Sequence, residues 1–203
     1  LQATFLVAVT YTLFYTLATW SLAWGTKEQG EGGGGLGFTN QEYLLMLMIS
    51  ICVFALFIVL SCLYADKIGR KRVLTFSSCA LVVFAALFPF LLDGGLVGQK
   101  NFFANMVFLC VGFALMGIAF GPIGAFLPEL FEANVRYSGS GIGYNLAAIV
   151  GAAVSYTHLP TIATWLSSHW GVHSVGLYLA VMAVCCLVSV LTCRETKDAD
   201  FTK

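Results

Sequence analysis

Six uncharged, mostly apolar runs dominate this sequence, and each is close to the length of about 20 residues that a helix needs to cross a bilayer core. The runs extend over Ala3–Trp24, Tyr43–Ala65, Val73–Leu92, Phe102–Leu127, Tyr137–Leu166 and Val175–Cys193. Lipid offers no partner for backbone N–H and C=O groups, and the runs lack the period-2 alternation of a barrel strand. We therefore predict an all-α integral membrane protein with six transmembrane helices.

Composition and charge exclude several other classes of protein. Hydrophobic residues make up 59% of the chain and charged residues 10%, whereas soluble domains carry roughly 25% charged residues. The net charge of zero argues against a nucleic-acid partner. The seven cysteines lie within the runs or at their ends without a CxxC spacing, so neither a disulfide framework nor a metal site is expected. We find no ATP-binding loop and no nucleophile and base at a recognisable spacing, so we do not expect an enzyme.

Basic residues close to the membrane are retained on the cytoplasmic side, and they set the predicted orientation. Eight of the ten Lys and Arg residues fall in the second connection, the fourth connection and the tail, whereas the other side holds only Lys27 and Lys100. Both ends of the chain are therefore predicted to be cytoplasmic. The first run is preceded by neither Met nor a basic segment, so we expect a truncated start rather than a signal peptide.

The connection from Asp66 to Arg72 reads DKIGRKR and leaves room only for a tight turn. Gly69 permits such a turn. One interpretation is a cytoplasmic anchor whose cations also complement the negative C-terminal end of the preceding helix. The other is a loop typical of one transporter family, because the run closely resembles the D-[RK]-x-G-R-[RK] loop of the major facilitator superfamily. Lys67 stands where Arg is commoner in that loop, and Cys62 stands where the full motif prefers Gly.

A second motif makes the resemblance more specific. The fourth run ends with GPIGAFLPELF from Gly121 to Phe131, and the chain continues through Arg136 to Asn145. These segments, together with 36–42 and the tail 194–198, resemble the metabolite:proton symporter branch of the superfamily over nearly the whole chain. The resemblance implies that the chain is the C-terminal half of a twelve-helix major facilitator fold, helices seven to twelve, without its N-terminal six-helix bundle.

The resemblance also implies a function. It suggests a multi-pass protein of a bacterial inner membrane that carries out proton-coupled symport of a small metabolite, an organic acid or a betaine-like osmolyte. The proton gradient would be the energy source, without a cofactor. No Asp, Glu, Lys or Arg lies well inside any of the six runs, so we expect the proton-accepting carboxylate in the N-terminal half. The alternatives are a sugar-porter-like or efflux protein of the same superfamily, or a non-transporting six-helix partner subunit.

The first run has one polar face, which is our candidate substrate-binding surface. At 100° per residue, Tyr11, Thr12, Tyr15 and Thr16 fall within one sector. Hydrocarbon offers hydroxyl groups no hydrogen-bond partner, so this face is predicted to line a watery cavity. Alternatively, the threonines bond back to the preceding turn and the tyrosines belong to an interfacial belt. Asn145 is a further candidate, either for the substrate or for a bond between helices.

Charged residues at the predicted cytoplasmic helix ends are candidates for a gate. Asp66, Arg70, Glu129 and Arg136 lie where opposite charges could pair in one state and separate in the other, and Gly69 supplies the turn between two of the helices.

The fifth run departs from the pattern of the family, because Ser155 to Leu159 intervene before Pro160 and place His158 inside an apolar span. We interpret this insertion as a local irregularity or a sequence-assembly artefact rather than a proton-carrying site.

Overall fold

The computed structural model describes residues 2–28, 35–92, 99–149 and 159–193. Within these ranges the regular structure is helical, as predicted. The elements are α1 (Gln2–Tyr15), a π-helical turn (Thr16–Trp20), α2 (Ser21–Thr26), α3 (Asn40–Ile68), α4 (Arg70–Leu92), α5 (Phe102–Glu129), α6 (Arg136–Ala148), α7 (Leu159–Trp170) and α8 (His173–Thr192).

In the part of the chain that the structure describes, five helical segments are long and apolar enough to cross a membrane, among them the continuous segment Gln2–Thr26 that joins α1 to α2. The predicted fifth span, Tyr137–Leu166, corresponds to α6 and the first part of α7. Residues 150–158 between these helices, including the predicted irregularity at Ser155 and His158, lie outside the described residues. The tail motif 194–198 lies outside them as well.

Side-chain caps fix the starts of two of the long helices. Thr39 precedes α3, and its Oγ1 accepts a hydrogen bond from the backbone N–H of Glu42 at 3.3 Å. The Glu42 carboxylate in turn accepts from the N–H of Thr39 at 2.9 Å, which completes a capping box. Asn101 caps α5 by accepting from the N–H of Ala104 at 3.2 Å. These bonds satisfy backbone donors that have no partner inside the helix.

The helices differ in how much of their surface the bundle covers. The first segment, Gln2–Thr26, is 67% buried over its most apolar window, whereas α3 is only 22% buried. The first segment packs against α5, α6, α7 and α8 and is therefore the central helix. The outer surface of α3 exposes large apolar side chains such as Met48 and Leu63, as expected for a face that contacts lipid.

Two glycines let α5 approach α3 closely. A Cβ at Gly117 would lie 2.7 Å from the carbonyl oxygen of Phe54, and a Cβ at Gly121 would lie 2.9 Å from that of Ile58. The Oγ of Ser61 bridges the two helices by donating to the carbonyl of Gly117 at 3.3 Å. Small residues spaced four apart are the usual means by which membrane helices come into backbone contact.

Candidate functional site

The two tyrosines predicted on the polar face of the first span lie at the contact of three helices. Tyr11 packs edge-to-face on Tyr144 of α6, with ring centroids 5.9 Å apart. Tyr15 is buried and packs against Tyr11 and against Tyr178 of α8. We call Tyr11, Tyr15, Tyr144 and Tyr178 the tyrosine cluster. It collects four phenol rings, each with a hydroxyl that both donates and accepts hydrogen bonds.

Sequence reasoning did not select Tyr144 or Tyr178 as site residues. Tyr144 directly precedes the candidate Asn145, in the segment that carries the resemblance to the family. Tyr178 lies near the start of the last run, which the sequence pattern assigns to an ordinary span. A rule that selects every tyrosine within a span would have found both. Their contact with α1 depends on helix packing, which a single helical wheel does not contain.

Thr12 and Thr16 are fully buried, and their hydroxyl protons are used within their own helix. The Oγ1 of Thr12 donates to the carbonyl of Ala8 at 3.0 Å, and that of Thr16 donates to the carbonyl of Thr12 at 2.8 Å. The structure therefore contains the back-bonding that the sequence left open as an alternative. Only the lone pairs of these two hydroxyls remain for another partner. Thr16 also begins the π-helical turn, an irregularity often found at functional sites.

Asn145 lies on a different face of α6 from Tyr144. Its Nδ2 donates to the carbonyl of Gly141 at 2.8 Å, and the residue is exposed. It lines an open groove of about 520 Å³ along α6, together with Tyr137 and Ser138. The structure thus brings Tyr11 and Tyr15 together, whereas Asn145 follows Tyr144 in α6 and lines the groove. The bond of the amide stays within α6 and does not join two helices.

Three of the predicted gate residues meet at one end of the bundle. Arg70 pairs with Asp66, with Nη2 and Oδ1 3.5 Å apart, and with the carboxylate of Glu129 on α5. We call Asp66, Arg70 and Glu129 the charged cluster. The side chains of Arg70 and Glu129 are only 22% and 15% exposed, whereas Asp66 is 68% exposed. The Arg70–Glu129 pair is therefore the less hydrated of the two, and it ties α4 to α5.

The backbone around the charged cluster explains the need for Gly69. Gly69 has a φ of +110° and donates its N–H to the carbonyl of Ala65 at 3.0 Å, which ends α3 one residue before α4 begins. A side chain is strained at that φ. Arg136 starts α6 after the short turn that follows Glu129, so it lies at the same end of the bundle. Its carbonyl accepts a hydrogen bond from the Oγ of Ser140 at 2.6 Å.

Lys71 has a structural role that the sequence did not reveal. Its Nζ donates to the carbonyls of Leu191 and Cys193, at 3.0 and 2.5 Å. A cation stabilises the negative C-terminal end of a helix. Lys71 therefore complements the end of α8, whereas Lys67 is the basic residue in the last turn of α3. The contact spans 120 residues of sequence, so no local pattern indicates it.

Comparison with known proteins supports the resemblance noted in the sequence. Residues 35–203 match the family described as sugar (and other) transporter. The chain is 40% identical to the inner membrane metabolite transport protein YhjE of Escherichia coli K12. The match covers 96% of this chain and 42% of that protein. It is 38% identical to a putative metabolite transport protein of Haemophilus influenzae over 98% of its length and 44% of that protein.

A more distant relative is the proline/betaine transporter of Escherichia coli K12, which is 27% identical over 78% of this chain and 30% of that protein. No solved structure matches the chain. The chain spans less than half the length of the curated relatives that it matches. Together with its apolar helices, the matches show a multi-pass membrane protein that belongs to the sugar (and other) transporter family of the major facilitator superfamily.

Proposed function

We propose that this chain is the C-terminal six-helix half of a secondary active transporter that couples the uptake of a small metabolite to the entry of protons. Membership of the transporter family carries the proposal. The similarity to proteins named as metabolite transport proteins favours a small polar metabolite as the substrate. The second bundle would be the N-terminal half, since the relatives are more than twice as long as this chain.

The tyrosine cluster is the proposed contribution of this half to the substrate site. Two-bundle transporters hold their substrate near the bilayer midplane, between the halves. Tyr11 lies in the middle of the segment Gln2–Thr26 and is only partly buried. Its ring and hydroxyl are therefore the part of the cluster best placed to meet a substrate, while Tyr15 supports it from the buried side.

The proposed substrate class is an organic acid or a betaine-like osmolyte. Phenol hydroxyls donate hydrogen bonds to a carboxylate, and phenol rings attract a quaternary ammonium group. Among the relatives, one is named as a proline/betaine transporter, and a betaine carries both groups. The family also bears the name of sugar transporters, so a sugar is the second candidate.

The proposed energy source is the proton gradient, with no cofactor. One charge that crosses about 100 mV releases about 2.3 kcal/mol, which corresponds to roughly fiftyfold accumulation of a neutral solute. In the described helices, the carboxylates lie at the ends: Glu42 at the start of α3, Asp66 in its last turn and Glu129 at the end of α5. The proton acceptor is therefore proposed to belong to the N-terminal half.

The charged cluster is proposed to act as a cytoplasmic gate in alternating access. We place it on the cytoplasmic side because most basic residues of the chain lie in the connections on that side. Arg70 holds α4 to α5 through Glu129. A change of state that separates this pair would free the ends of both helices, and hydration of the two charges would offset part of the lost attraction.

Uptake into membrane vesicles tests the proposal. The full-length protein encoded by the reading frame of this chain would be supplied with radiolabelled organic acids, betaines and sugars, with and without a proton uncoupler. We expect uptake of an acid or a betaine that is lost on uncoupling. Uptake that survives uncoupling would contradict proton symport, uptake of sugars alone would favour the second candidate, and a reading frame without six further spans would contradict the two-bundle arrangement.

The double variant Tyr11→Phe, Tyr15→Phe tests the site. It keeps both rings and removes both hydroxyls, so we expect substrate affinity to fall at least tenfold, by the ~1.4 kcal/mol that a hydrogen bond contributes. Tyr43→Phe is the matched control, because Tyr43 is a buried tyrosine of α3 outside the cluster. Unchanged affinity in the double variant would remove the tyrosines from the substrate site.

A further inference from the structure

An apolar groove of about 370 Å³ lies on the outer side of the bundle, between α3, the start of α4 and α5. Its lining includes Leu60, Tyr64, Ile68, Arg72, Phe76 and Ile118. The walls are open to the surroundings, since Tyr64 is 59% exposed and Phe76 is 66% exposed. Apolar walls of this kind fit a lipid chain better than water.

Among the described residues that line this groove, Arg72 carries the only charged side chain. The other polar group deep in the groove, the Oγ of Ser61, donates to the carbonyls of Ile58 and Gly117. Tyr64 lies one turn before the end of α3, at the depth where tyrosines mark the membrane interface. The groove is thus lined by apolar side chains along its length and has an interfacial tyrosine and one cation at its mouth.

The three consecutive cations Arg70, Lys71 and Arg72 have different partners. Arg70 pairs with Glu129 and Asp66, and Lys71 binds carbonyls at the end of α8. The side chain of Arg72 is exposed and makes no hydrogen bond or ion pair with any of the residues 2–28, 35–92, 99–149 and 159–193. Of the three, it is the cation that remains available to an external anion.

The position of Arg72 matches that of a phospholipid headgroup. α3 ends at Ile68 and α4 starts at Arg70, so Arg72 lies within the first turn of a membrane-spanning helix, at the boundary of the bilayer. Lys and Arg residues at this depth attract anionic lipids. The apolar walls extend from Arg72 toward the bilayer interior along Phe76, as the acyl chain of such a lipid would.

We propose that this groove is a binding site for one anionic phospholipid, with an acyl chain between α3, α4 and α5 and the phosphate group paired with Arg72. Charge complementarity selects the headgroup, and the apolar lining selects the chain. The site does not involve the tyrosine cluster, so it stands independently of the proposed transport substrate.

Lipid retention by the purified full-length protein tests this site. The protein would be equilibrated in detergent with dioleoyl-phosphatidylglycerol or dioleoyl-phosphatidylcholine, which have the same chains, and bound lipid would be counted by native mass spectrometry. We expect the anionic lipid to bind about fivefold more tightly, the contribution of one basic residue at the membrane surface. Arg72→Gln should abolish that preference.

Two further variants test whether the lipid preference depends on this groove or on the overall positive charge of the connection. Lys67→Gln removes a cation from the same connection but lies outside the groove lining, so it should keep the preference. Leu60→Trp fills the groove and should reduce retention of both lipids. Any one of four results would overturn the proposal. The unaltered protein could retain the two lipids equally, or the preference could survive in Arg72→Gln. Lys67→Gln could lose the preference to the same extent as Arg72→Gln, or Leu60→Trp could leave retention unchanged.

Discussion

Replacement of Gly121 by alanine tests the close contact between α3 and α5. The new Cβ would lie 2.9 Å from the carbonyl oxygen of Ile58 and would also strike the Oγ of Ser61. Ser61 can rotate away only by giving up its bond to the carbonyl of Gly117, and the backbone of Ile58 cannot move without displacing α3. Overpacking of this kind costs about 1–3 kcal/mol.

Gly124→Ala in the same helix is the matched control, because nothing lies within 4 Å of its added Cβ. Both variants exchange glycine for alanine inside a helix, which by itself favours the helix by up to about 1 kcal/mol. The difference between the two variants therefore isolates the packing cost.

The assay is reversible unfolding of the full-length protein in mixed micelles with increasing sodium dodecyl sulfate. We expect the free energy of unfolding of Gly121→Ala to fall about 1–3 kcal/mol below that of Gly124→Ala. Equal free energies of unfolding in the two variants would refute the claim that Gly121 is required for backbone contact between α3 and α5.

Three further variants address the connection between α3 and α4 and its partners. Gly69→Ala places a side chain at a φ of +110° and should lower the free energy of unfolding by about 1–3 kcal/mol, measured in the same micelles; no change would show that the turn adapts. Glu129→Gln removes the less hydrated partner of Arg70, so we expect a larger effect on the vesicle transport rate than on substrate affinity, and an unaltered rate would count against the gate. Lys71→Met removes two bonds to the end of α8 and should speed hydrogen exchange of the last amides of α8, whereas equal exchange would deny Lys71 a capping role.

Features set by local chemistry could be predicted from the sequence. The run Tyr43–Ala65 lies inside α3 because lipid requires an apolar helix of that length. Gly69 was expected at a tight turn, and the structure gives it a φ that other residues avoid. Asp66 and Arg70 are four residues apart across this turn, so their pairing also depends on local geometry.

Features set by long-range packing could not be predicted. A helical wheel treats the first span as regular and assigns one face to a cavity, but the span contains a π-helical turn and is buried around most of its circumference. The wheel contains no information on Tyr178 or on the end of α8, because both meet their partners only after the bundle has assembled. Thr12 and Thr16 show the same limit. Their face of the helix is polar in sequence, but their hydroxyl groups donate hydrogen bonds to carbonyls of their own helix.

α5 connects the two regions to which we assign roles in transport. Its last residue, Glu129, pairs with Arg70 in the charged cluster. Two turns and more before its end, Gly121 and Gly117 fix it against α3. Further toward its start, the fully buried ring of Phe113 packs edge-to-face on Phe14, which itself packs on Tyr15.

Each of these contacts constrains α5, so a movement of the helix at one contact affects the other contacts. A side chain moves freely at a helix end, but a helix held by backbone contact at its middle moves as a unit with its neighbour. Separation of Glu129 from Arg70 would therefore free the end of α5 from α4, and a movement of α5 would reach Tyr15 through Phe113 and Phe14. None of the contacts described above joins the charged cluster directly to the tyrosine cluster. In the proposed transport cycle, the shared helix α5 gives the charged cluster a physical route by which to alter the tyrosine cluster.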